Sequence, residues 1–294
     1  MKFVNTFKER WGVEPICQTL EFAPSTYYAA TSRPPSARQL RDDQLKPMIE
    51  RVHRENFDVY GVEKMWQQLR RESIAVGRDH VARLMAGLNL FGVVRGKAKR
   101  TTFPGDTDAR PADLVERVFK AVAPNLLWVA DLTYVSTWAG TVYIAFVIDV
   151  FSRRIVGWRV SSSLRAELAL DALEMAIWTR RSTALDGLVH HSDRGSQYLA
   201  IRYTERLADA GAVRSVGSRG DSYDNALAES VVGLFKTELI RMKGPWRTLE
   251  QLELAAAEWI DWYNNRRLHG SVGDLPPREY EAAYYAGREA PAVA

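Results

Sequence analysis

Apolar residues recur every three or four positions along the first ninety residues, which is the period of an amphipathic helix. Two short helices are predicted first, one over 13–20 and another that restarts at Pro24, because proline is tolerated in a first helical turn. The proline-containing stretch 31–36 then interrupts the pattern. From Asp42 onward the helical period returns and predicts three further helices.

The last two of these helices have the layout of a helix-turn-helix. They are predicted from Val62 and over 78–88, and a short turn joins them. A plain three-helix bundle would show the same periodicity. We favour DNA binding because Arg78 and Arg83 would project from the second helix, and because a basic run that could track phosphates follows directly: Arg95, Lys97, Lys99 and Arg100.

After Pro124 the period becomes that of strands. Three runs rich in β-branched and aromatic residues, over 127–135, 142–151 and 155–160, predict an antiparallel meander. The first two runs are apolar on both faces, so these strands should be central and covered by helices. Further helices and short strands are predicted over 165–181, 188–191, 202–210, 213–216, 223–240 and 249–264.

This succession of elements, βββαβαβα and then another helix, is that of the ribonuclease H-like fold. We therefore predict an α/β protein with a mixed five-stranded sheet and flanking helices. An all-α helix-turn-helix region should precede the sheet.

Composition excludes several classes of protein. The 294 residues are 46% hydrophobic and 26% charged, which is typical of a packed globular chain. No apolar run is long enough to span a bilayer, and the first residues lack the apolar core of a secretory signal. The single cysteine, Cys17, excludes an internal disulfide and a cysteine-rich zinc finger. We expect a cytoplasmic protein without a membrane partner.

Charge is distributed unevenly along the chain. Residues 1–123 carry 21 Lys and Arg against 15 Asp and Glu, whereas the remainder carries 19 against 21. The basic front half is consistent with a polyanionic partner, although a solvated surface can carry the same excess. The slightly acidic second half leaves carboxylates available for another purpose.

Three carboxylates in that half occupy informative settings. Asp131 interrupts the first apolar strand, where an uncompensated charge has a large desolvation cost. Asp193 follows the strand at 188–191, and Glu229 lies within the predicted helix 223–240. In a ribonuclease H-like sheet these points can converge on one pocket, where carboxylate oxygens would bind Mg²⁺ or Mn²⁺. Two such ions can activate a water or a DNA 3′-hydroxyl and stabilise the leaving oxygen.

The helix that contains Glu229 has a polar stripe opposite its apolar face. At 100° per residue this stripe contains Asn225, Glu229 and Lys236. Lys236 follows Glu229 by two turns and would meet a phosphate.

Asp149 competes for the role of ligand. If Asp131 faces Val147 across the hairpin, Asp149 lies diagonally on the same sheet face. It could equally be a structural residue near a strand end that bonds to Ser152 or Arg153, and we favour this role.

Histidines and tryptophans offer two further alternatives. His190 and His191 could ligate a metal, but strand-end histidines more often pack or form hydrogen bonds. Trp246, Trp259 and Trp262 could stack on DNA bases, whereas the helical spacing of the last two favours a place in the core.

Five segments of the chain match the blocks of a known family: 128–134, 149–158, 191–198, 222–229, and 263–269 with the following Pro276-Pro277. They resemble the bacterial insertion-sequence transposases of the insertion sequence three family, which are relatives of retroviral integrases. The first, third and fourth segments resemble its three active-site blocks, the second resembles its second-to-third strand block, and the last resembles its C-terminal block. The resemblance extends from about Asp42 to Tyr285.

The resemblance implies a DDE-type transposase in which Asp131, Asp193 and Glu229 are catalytic metal ligands. Two Mg²⁺ or Mn²⁺ ions are implied as cofactors. The implied substrate is double-stranded DNA, both the terminal inverted repeats of a mobile element and a target. Strand cleavage and 3′-hydroxyl strand transfer would proceed without a covalent protein–DNA intermediate. Lys236 matches the basic position of the family signature, and Tyr198 and Asn225 lie in matched blocks and are expected at the DNA.

An alternative function follows from how the family makes its enzyme. Its members usually fuse a short upstream frame, with a helix-turn-helix and a leucine zipper, to the frame that this chain resembles. The chain contains no sustained heptad zipper. It could therefore be a DNA-binding regulatory or accessory subunit that is inactive without an upstream-frame partner. A nuclease that only hydrolyses DNA is a further alternative. In the favoured case we expect a homo-oligomer on DNA.

The breaks in the sequence pattern and the resemblance together predict how the chain is divided into domains. The predicted segments are 1–36, helix-turn-helix-like; 37–100, a helix-turn-helix DNA-binding domain with a basic arm; 101–124, a linker; 125–285, a ribonuclease H-like integrase catalytic domain; and 286–294, a tail.

Overall fold

The computed structural model describes residues 1–94, 121–183, 185–192, 198, 200–216 and 226–289. Contacts between Cα atoms divide the chain into two compact units, Met1–Glu50 and Arg51–Ala294. In the described part of the chain, no helix combines the length and the apolar character needed to cross a bilayer.

The first unit is helical. Its helices are α1 (Lys2–Trp11), α2 (Val13–Thr19), α3 (Pro24–Ser32) and the first part of α4 (Ala37–Glu55). Four side chains form a small buried cluster: Val4, Ile16, Cys17 and Tyr27. The Tyr27 hydroxyl donates a hydrogen bond of 2.8 Å to Oδ1 of Asn5. Helices α2 and α3 confirm the predicted pair, whereas α1 was not predicted.

The second unit begins with the last residues of α4 and continues with the predicted helix pair, α5 (Val62–Arg71) and α6 (Arg78–Gly87). The inner faces of the two helices are apolar and buried at Met65, Leu69, Val81, Leu84 and Met85. The indole of Trp66 donates to the carbonyl oxygen of Val76 at 2.9 Å, which fixes the connection between the helices. The layout expected from the helical period is thus present.

Beyond these helices lies a five-stranded sheet, made of β1 (Leu127–Thr137), β2 (Gly140–Asp149), β3 (Ile155–Ser161), β4 (Val189–Ser192) and β5 (Val213–Val216). The strand order is β3-β2-β1-β4-β5. The first three strands are antiparallel neighbours, whereas β4 runs parallel to both β1 and β5. The mixed sheet predicted from the sequence is confirmed.

Helices cover both faces of the sheet, as the two-sided apolar strands require. One face packs on α7 (Ala166–Thr179) and α8 (Ile201–Asp209). Gly157 on β3 lets α7 approach closely, because a Cβ there would lie 2.1 Å from the carbonyl oxygen of Ala172.

The opposite face packs on α9 (Ala226–Phe235) and α11 (Leu249–Asn265). The Phe235 ring lies 5.3 Å from that of Phe146 on β2 and 5.3 Å from that of Trp259 on α11. Trp259 and Trp262 are fully buried. Their predicted place in the core is therefore confirmed.

Between these two helices the backbone departs from the predicted single helix. A π-helical turn, Lys236–Ile240, follows α9 directly, and the short helix α10 (Arg241–Lys243) follows the turn. The last helix of the described residues is α12 (Pro277–Glu289), which was not predicted. Glu281 of α12 forms a buried ion pair with Arg180 at the end of α7, with a hydrogen bond of 2.7 Å.

Residues 51–94 pack against the sheet region within the second unit. The Trp262 indole donates to Oδ1 of Asn56 at 3.0 Å, and the Leu268 amide donates to the Tyr60 hydroxyl at 2.9 Å. Trp262, Tyr60 and Leu268 are fully buried. The helix pair is therefore attached to the sheet region through buried contacts.

Candidate active site

Asp131 lies in the middle of β1. It pairs with Phe146 of β2, so both side chains point to the face covered by α9. The described pairing of β1 with β4 includes Ala130 and Ser192, and Ala130 directly precedes Asp131. Asp131 is half-buried, and its Oδ1 accepts a hydrogen bond of 2.8 Å from the Leu132 amide.

The hairpin register differs from the predicted one by one position. Thr137 pairs with Gly140, and Asp149 therefore pairs with Trp128. The predicted pairing of Asp131 with Val147 is wrong, and Asp149 points to the opposite face of the sheet.

Asp149 instead holds the end of the hairpin together. It is fully buried and accepts hydrogen bonds from the Asn125 amide at 2.7 Å and from the amide and hydroxyl of Ser152 at 2.8 Å each. Burial raises the pKa of Asp149, and the bonds from Ser152 and Asn125 oppose this rise. The favoured structural role, with Ser152 as partner, is confirmed.

Glu229 lies on α9, the helix that packs on β1. Its packing face is apolar and contains Ala228, Val231, Val232 and Phe235. Glu229 is exposed on the same helix, which packs on β1. Asp131 and Glu229 therefore lie on neighbouring elements, and α9 covers the face to which Asp131 points.

Lys236 is the residue that links this helix to Asp131 electrostatically. It is the first residue of the π-helical turn and is half-buried. Burial lowers the pKa of Lys236, and the nearby negative charge of Asp131 opposes the shift. The Lys236 ammonium also lies 5.1 Å from the centroid of the Tyr134 ring on β1.

Several predicted site residues lie outside the described residues. These are Asp193, Asn225 and the basic run Arg95, Lys97, Lys99 and Arg100. Among the described residues there is no group of three potential metal-ligating side chains.

The buried histidines that precede Asp193 form hydrogen bonds with side chains of α8 and β5. Nε2 of His190 lies 3.0 Å from the Tyr203 hydroxyl, and Nδ1 of His191 lies 2.9 Å from the Ser215 hydroxyl. Burial lowers the pKa of His190 to about 3. These contacts favour the packing role over metal ligation.

Tyr198, expected at the DNA, is fully buried. Its ring lies 5.4 Å from that of Tyr203 in the core beneath α7 and α8. A contact between Tyr198 and DNA remains a prediction.

Arg78 and Arg83 are exposed on α6, whose apolar residues face inward. Nε of Arg78 lies 2.9 Å from a carboxylate oxygen of Glu63 in an exposed ion pair. Both arginines are therefore on the accessible side of the second helix of the pair.

Two exposed aromatic residues near the site were not predicted. Tyr134 is 62% exposed and Trp138 is 69% exposed, and both follow Asp131 on the first hairpin. The signal was present in the sequence, because large aromatic residues interrupt the expected polar pattern at a hairpin turn.

The chemistry of the described donors fits a hard divalent cation. Asp131 and Glu229 offer carboxylate oxygens, which Mg²⁺ and Mn²⁺ prefer, and no thiolate lies in this region. Lys236 adds a cation suited to a phosphate.

Protein-family models match most of the chain. An integrase core domain matches residues 121–222, and a second integrase core model matches 211–277. An HTH-like domain matches residues 40–98. Together with the helix pair and the mixed sheet, these matches support DNA as a partner.

Two relatives cover nearly the whole chain. The transposase named for insertion sequence element IS986/IS6110 of Mycobacterium tuberculosis (strain H37Rv) is 57% identical over 93% of this chain and 100% of its own length. The transposase for insertion sequence element IS629 of Shigella sonnei is 53% identical over 97% of both chains. The chain therefore belongs to the insertion-sequence transposases of the insertion sequence three family, DDE-type polynucleotidyl transferases with an integrase core that carry out DNA transposition.

Proposed function

We propose that this transposase binds the terminal inverted repeats of its element, cleaves strands at the element ends and joins the 3′-hydroxyls to target DNA. The observation that carries the proposal is the position of the Lys236 ammonium, 5.1 Å from the centroid of the Tyr134 ring on β1, the strand that contains Asp131. The charge of Asp131 acts on this ammonium, so a carboxylate for metal ions and a cation for phosphate lie near each other, at the end of the helix that holds Glu229.

Asp193 completes the proposed triad. It directly follows Ser192, whose partner Ala130 directly precedes Asp131. This succession in the sequence supports a common site for the three carboxylates.

Asp131, Asp193 and Glu229 would hold two Mg²⁺ or Mn²⁺ ions. When bound, such ions activate the attacking oxygen and stabilise the leaving oxygen of a phosphoryl transfer. Lys236 would bind a non-bridging phosphate oxygen and orient the scissile phosphate. Because Lys236 is half-buried, its interaction with the phosphate is screened less than that of an exposed lysine.

The proposal is tested by a strand-transfer assay with the full chain, labelled element ends and a target plasmid. We expect joined products in Mg²⁺ or Mn²⁺ and none in EDTA. The assay is run with and without the upstream-frame protein, and the active species on DNA is sized by sedimentation.

Two outcomes would contradict the proposal. Cleavage at the ends without any joining, in either setting, would identify a hydrolytic nuclease. Binding of ends without any chemistry, even with the upstream-frame protein, would identify an accessory subunit.

Arg78 and Arg83 provide the test of end recognition. We expect Arg78→Ala and Arg83→Ala each to weaken binding to element ends by about 1–3 kcal/mol where the arginine contacts a base. An arginine that contacts only phosphate would instead lower the slope of log K against log salt by about 0.9. Binding is measured by fluorescence anisotropy across a salt series.

Arg181→Ala serves as the control, because Arg181 is an exposed arginine beyond α7 that packs over Trp178. If both α6 variants bind and footprint like the wild type, the helix pair does not recognise the element ends.

A further inference from the structure

An aromatic surface lies directly beyond Asp131 along β1. It consists of Tyr134 and Trp138, the two exposed rings of the first hairpin. At about 3.4 Å per strand residue, Tyr134 follows Asp131 by about 10 Å.

A cation accompanies each ring. The Lys236 ammonium lies 5.1 Å from the Tyr134 centroid, and the Arg247 guanidinium lies 5.2 Å from the Trp138 centroid. The surface therefore combines aromatic faces with positive charge. This combination is the one that binds single-stranded nucleic acid, because bases stack on the rings while cations meet the phosphates.

The hairpin turn that carries Trp138 is held in place. The Trp138 amide donates to the carbonyl oxygen of Trp246 at 3.0 Å, and the Ala139 amide donates to that of Arg247 at 3.1 Å. Trp246 is buried and its indole donates to the carbonyl oxygen of Ile240 at 3.2 Å. The turn is thereby tied to the segment that follows the π-helical turn, so the exposed rings sit on an ordered support.

Lys236 connects this surface to the proposed active site. The same ammonium that faces the Tyr134 ring also interacts electrostatically with Asp131. A phosphate beside Lys236 would thus have Asp131 on one side and an aromatic face on the other.

We propose that Tyr134 and Trp138 form a stacking platform for unpaired bases of the DNA strand next to the scissile phosphate. The inference rests on the proposed function, because the position of that phosphate comes from it. The occupant is single-stranded DNA, since a ring can stack on the face of a base only where its neighbour is unstacked.

The test measures binding of the full chain to a short labelled oligothymidylate in EDTA. We expect Trp138→Ala and Tyr134→Ala each to weaken this binding about tenfold, because one stacking contact is lost. Trp138→Phe and Tyr134→Phe keep an aromatic face and should bind within about threefold of the wild type. Binding to a blunt duplex should be unchanged in all four variants.

Trp178→Ala is the matched control. Trp178 is 66% exposed and has the Arg181 guanidinium 4.2 Å from its centroid, but it lies on α7 rather than on the first hairpin. We expect this variant to bind like the wild type.

A salt series separates charge from stacking. Arg247→Gln should lower the slope of log K against log salt for the single strand by about 0.7, whereas Trp138→Ala should leave that slope unchanged.

The proposed platform would be overturned if Trp138→Ala and Tyr134→Ala bound the oligothymidylate with wild-type affinity. It would also be overturned if Trp178→Ala lost as much affinity as they do. A loss of self-association in Trp138→Ala, measured by sedimentation, would overturn it too, since the rings would then contact a second copy of the chain. The binding assay contains EDTA and needs no metal, so its result does not depend on whether the chain transfers strands. The platform and the proposed function can therefore each fail without the other.

Discussion

Asp131→Asn is expected to lower the rate of strand transfer by about a thousandfold or more, which corresponds to about 4 kcal/mol of transition-state stabilisation. The asparagine keeps the size of the side chain, and its oxygen can still accept the hydrogen bond from the Leu132 amide. It removes the negative charge that would bind a divalent ion. Affinity for element ends and the urea midpoint of unfolding should therefore stay close to those of the wild type.

The same loss is expected for Asp193→Asn and Glu229→Gln if the three carboxylates share ions. Asp171→Asn is the control, because Asp171 is a carboxylate on α7, on the other side of the sheet, where it pairs with Arg159. This variant should join strands at the wild-type rate.

A change of metal separates a ligand from a structural residue. Asp131→Cys should be inactive in Mg²⁺ and partly active in Mn²⁺, because a thiolate binds the softer ion better. Strand transfer by Asp131→Asn at a near wild-type rate would show that Asp131 is not a ligand. An identical loss in both metals for Asp131→Cys, together with a lowered urea midpoint, would assign it a structural role.

Local patterns were sufficient to predict the sheet. The β-branched runs on β1, β2 and β3 are long and bounded by turn residues, so their existence and order followed from sequence. The setting of Asp131 was equally clear, because a carboxylate within a buried apolar strand requires compensation. Both predictions depended only on residues that are close together in the sequence.

The hairpin register could not be predicted in the same way. Both central strands are apolar on both faces, so alternation does not distinguish one register from the next. A shift of one residue moves every side chain to the other face, and Asp149 was placed beside Asp131 for this reason. The tight turn at Trp138 and Ala139 sets the register.

Contacts between distant segments could not be predicted from the sequence either. Tyr60 and Asn56 show nothing locally to indicate that they bond to Leu268 and Trp262, some 200 positions away. Helix α12 is secured by the buried pairing of Glu281 with Arg180, which no periodicity reveals. Such contacts depend on tertiary packing, which overrides local preference.

The second large effect concerns a buried ion pair next to the proposed site. Glu238, in the π-helical turn, accepts a hydrogen bond of 2.9 Å from Nε of Arg267, and both residues are almost fully buried. Burial lowers the pKa of Arg267, but the bonds and charge of Glu238 more than offset this, so the net shift is upward. Arg267 consequently stays charged, and it cannot relieve the loss of its partner by releasing a proton.

Glu238→Gln is therefore expected to lower the free energy of unfolding by about 3–5 kcal/mol, because it leaves a buried guanidinium without a counter-charge. Urea unfolding followed by circular dichroism gives this value. The control is Arg206→Ala, which breaks an exposed pair with Glu174 and should change stability by no more than about 1 kcal/mol.

The double variant Glu238→Leu with Arg267→Met tests the electrostatic cause. It removes both charges, so it should be more stable than Glu238→Gln even though it changes two buried side chains. If the double variant were the less stable of the two, shape and hydrogen bonding rather than charge would hold the pair.

Because Lys236 belongs to the same π-helical turn as Glu238, Glu238→Gln should also slow strand transfer, whereas the double variant should recover part of that rate. Recovery of stability without recovery of rate would place the contribution of Glu238 to activity in the local geometry of the turn.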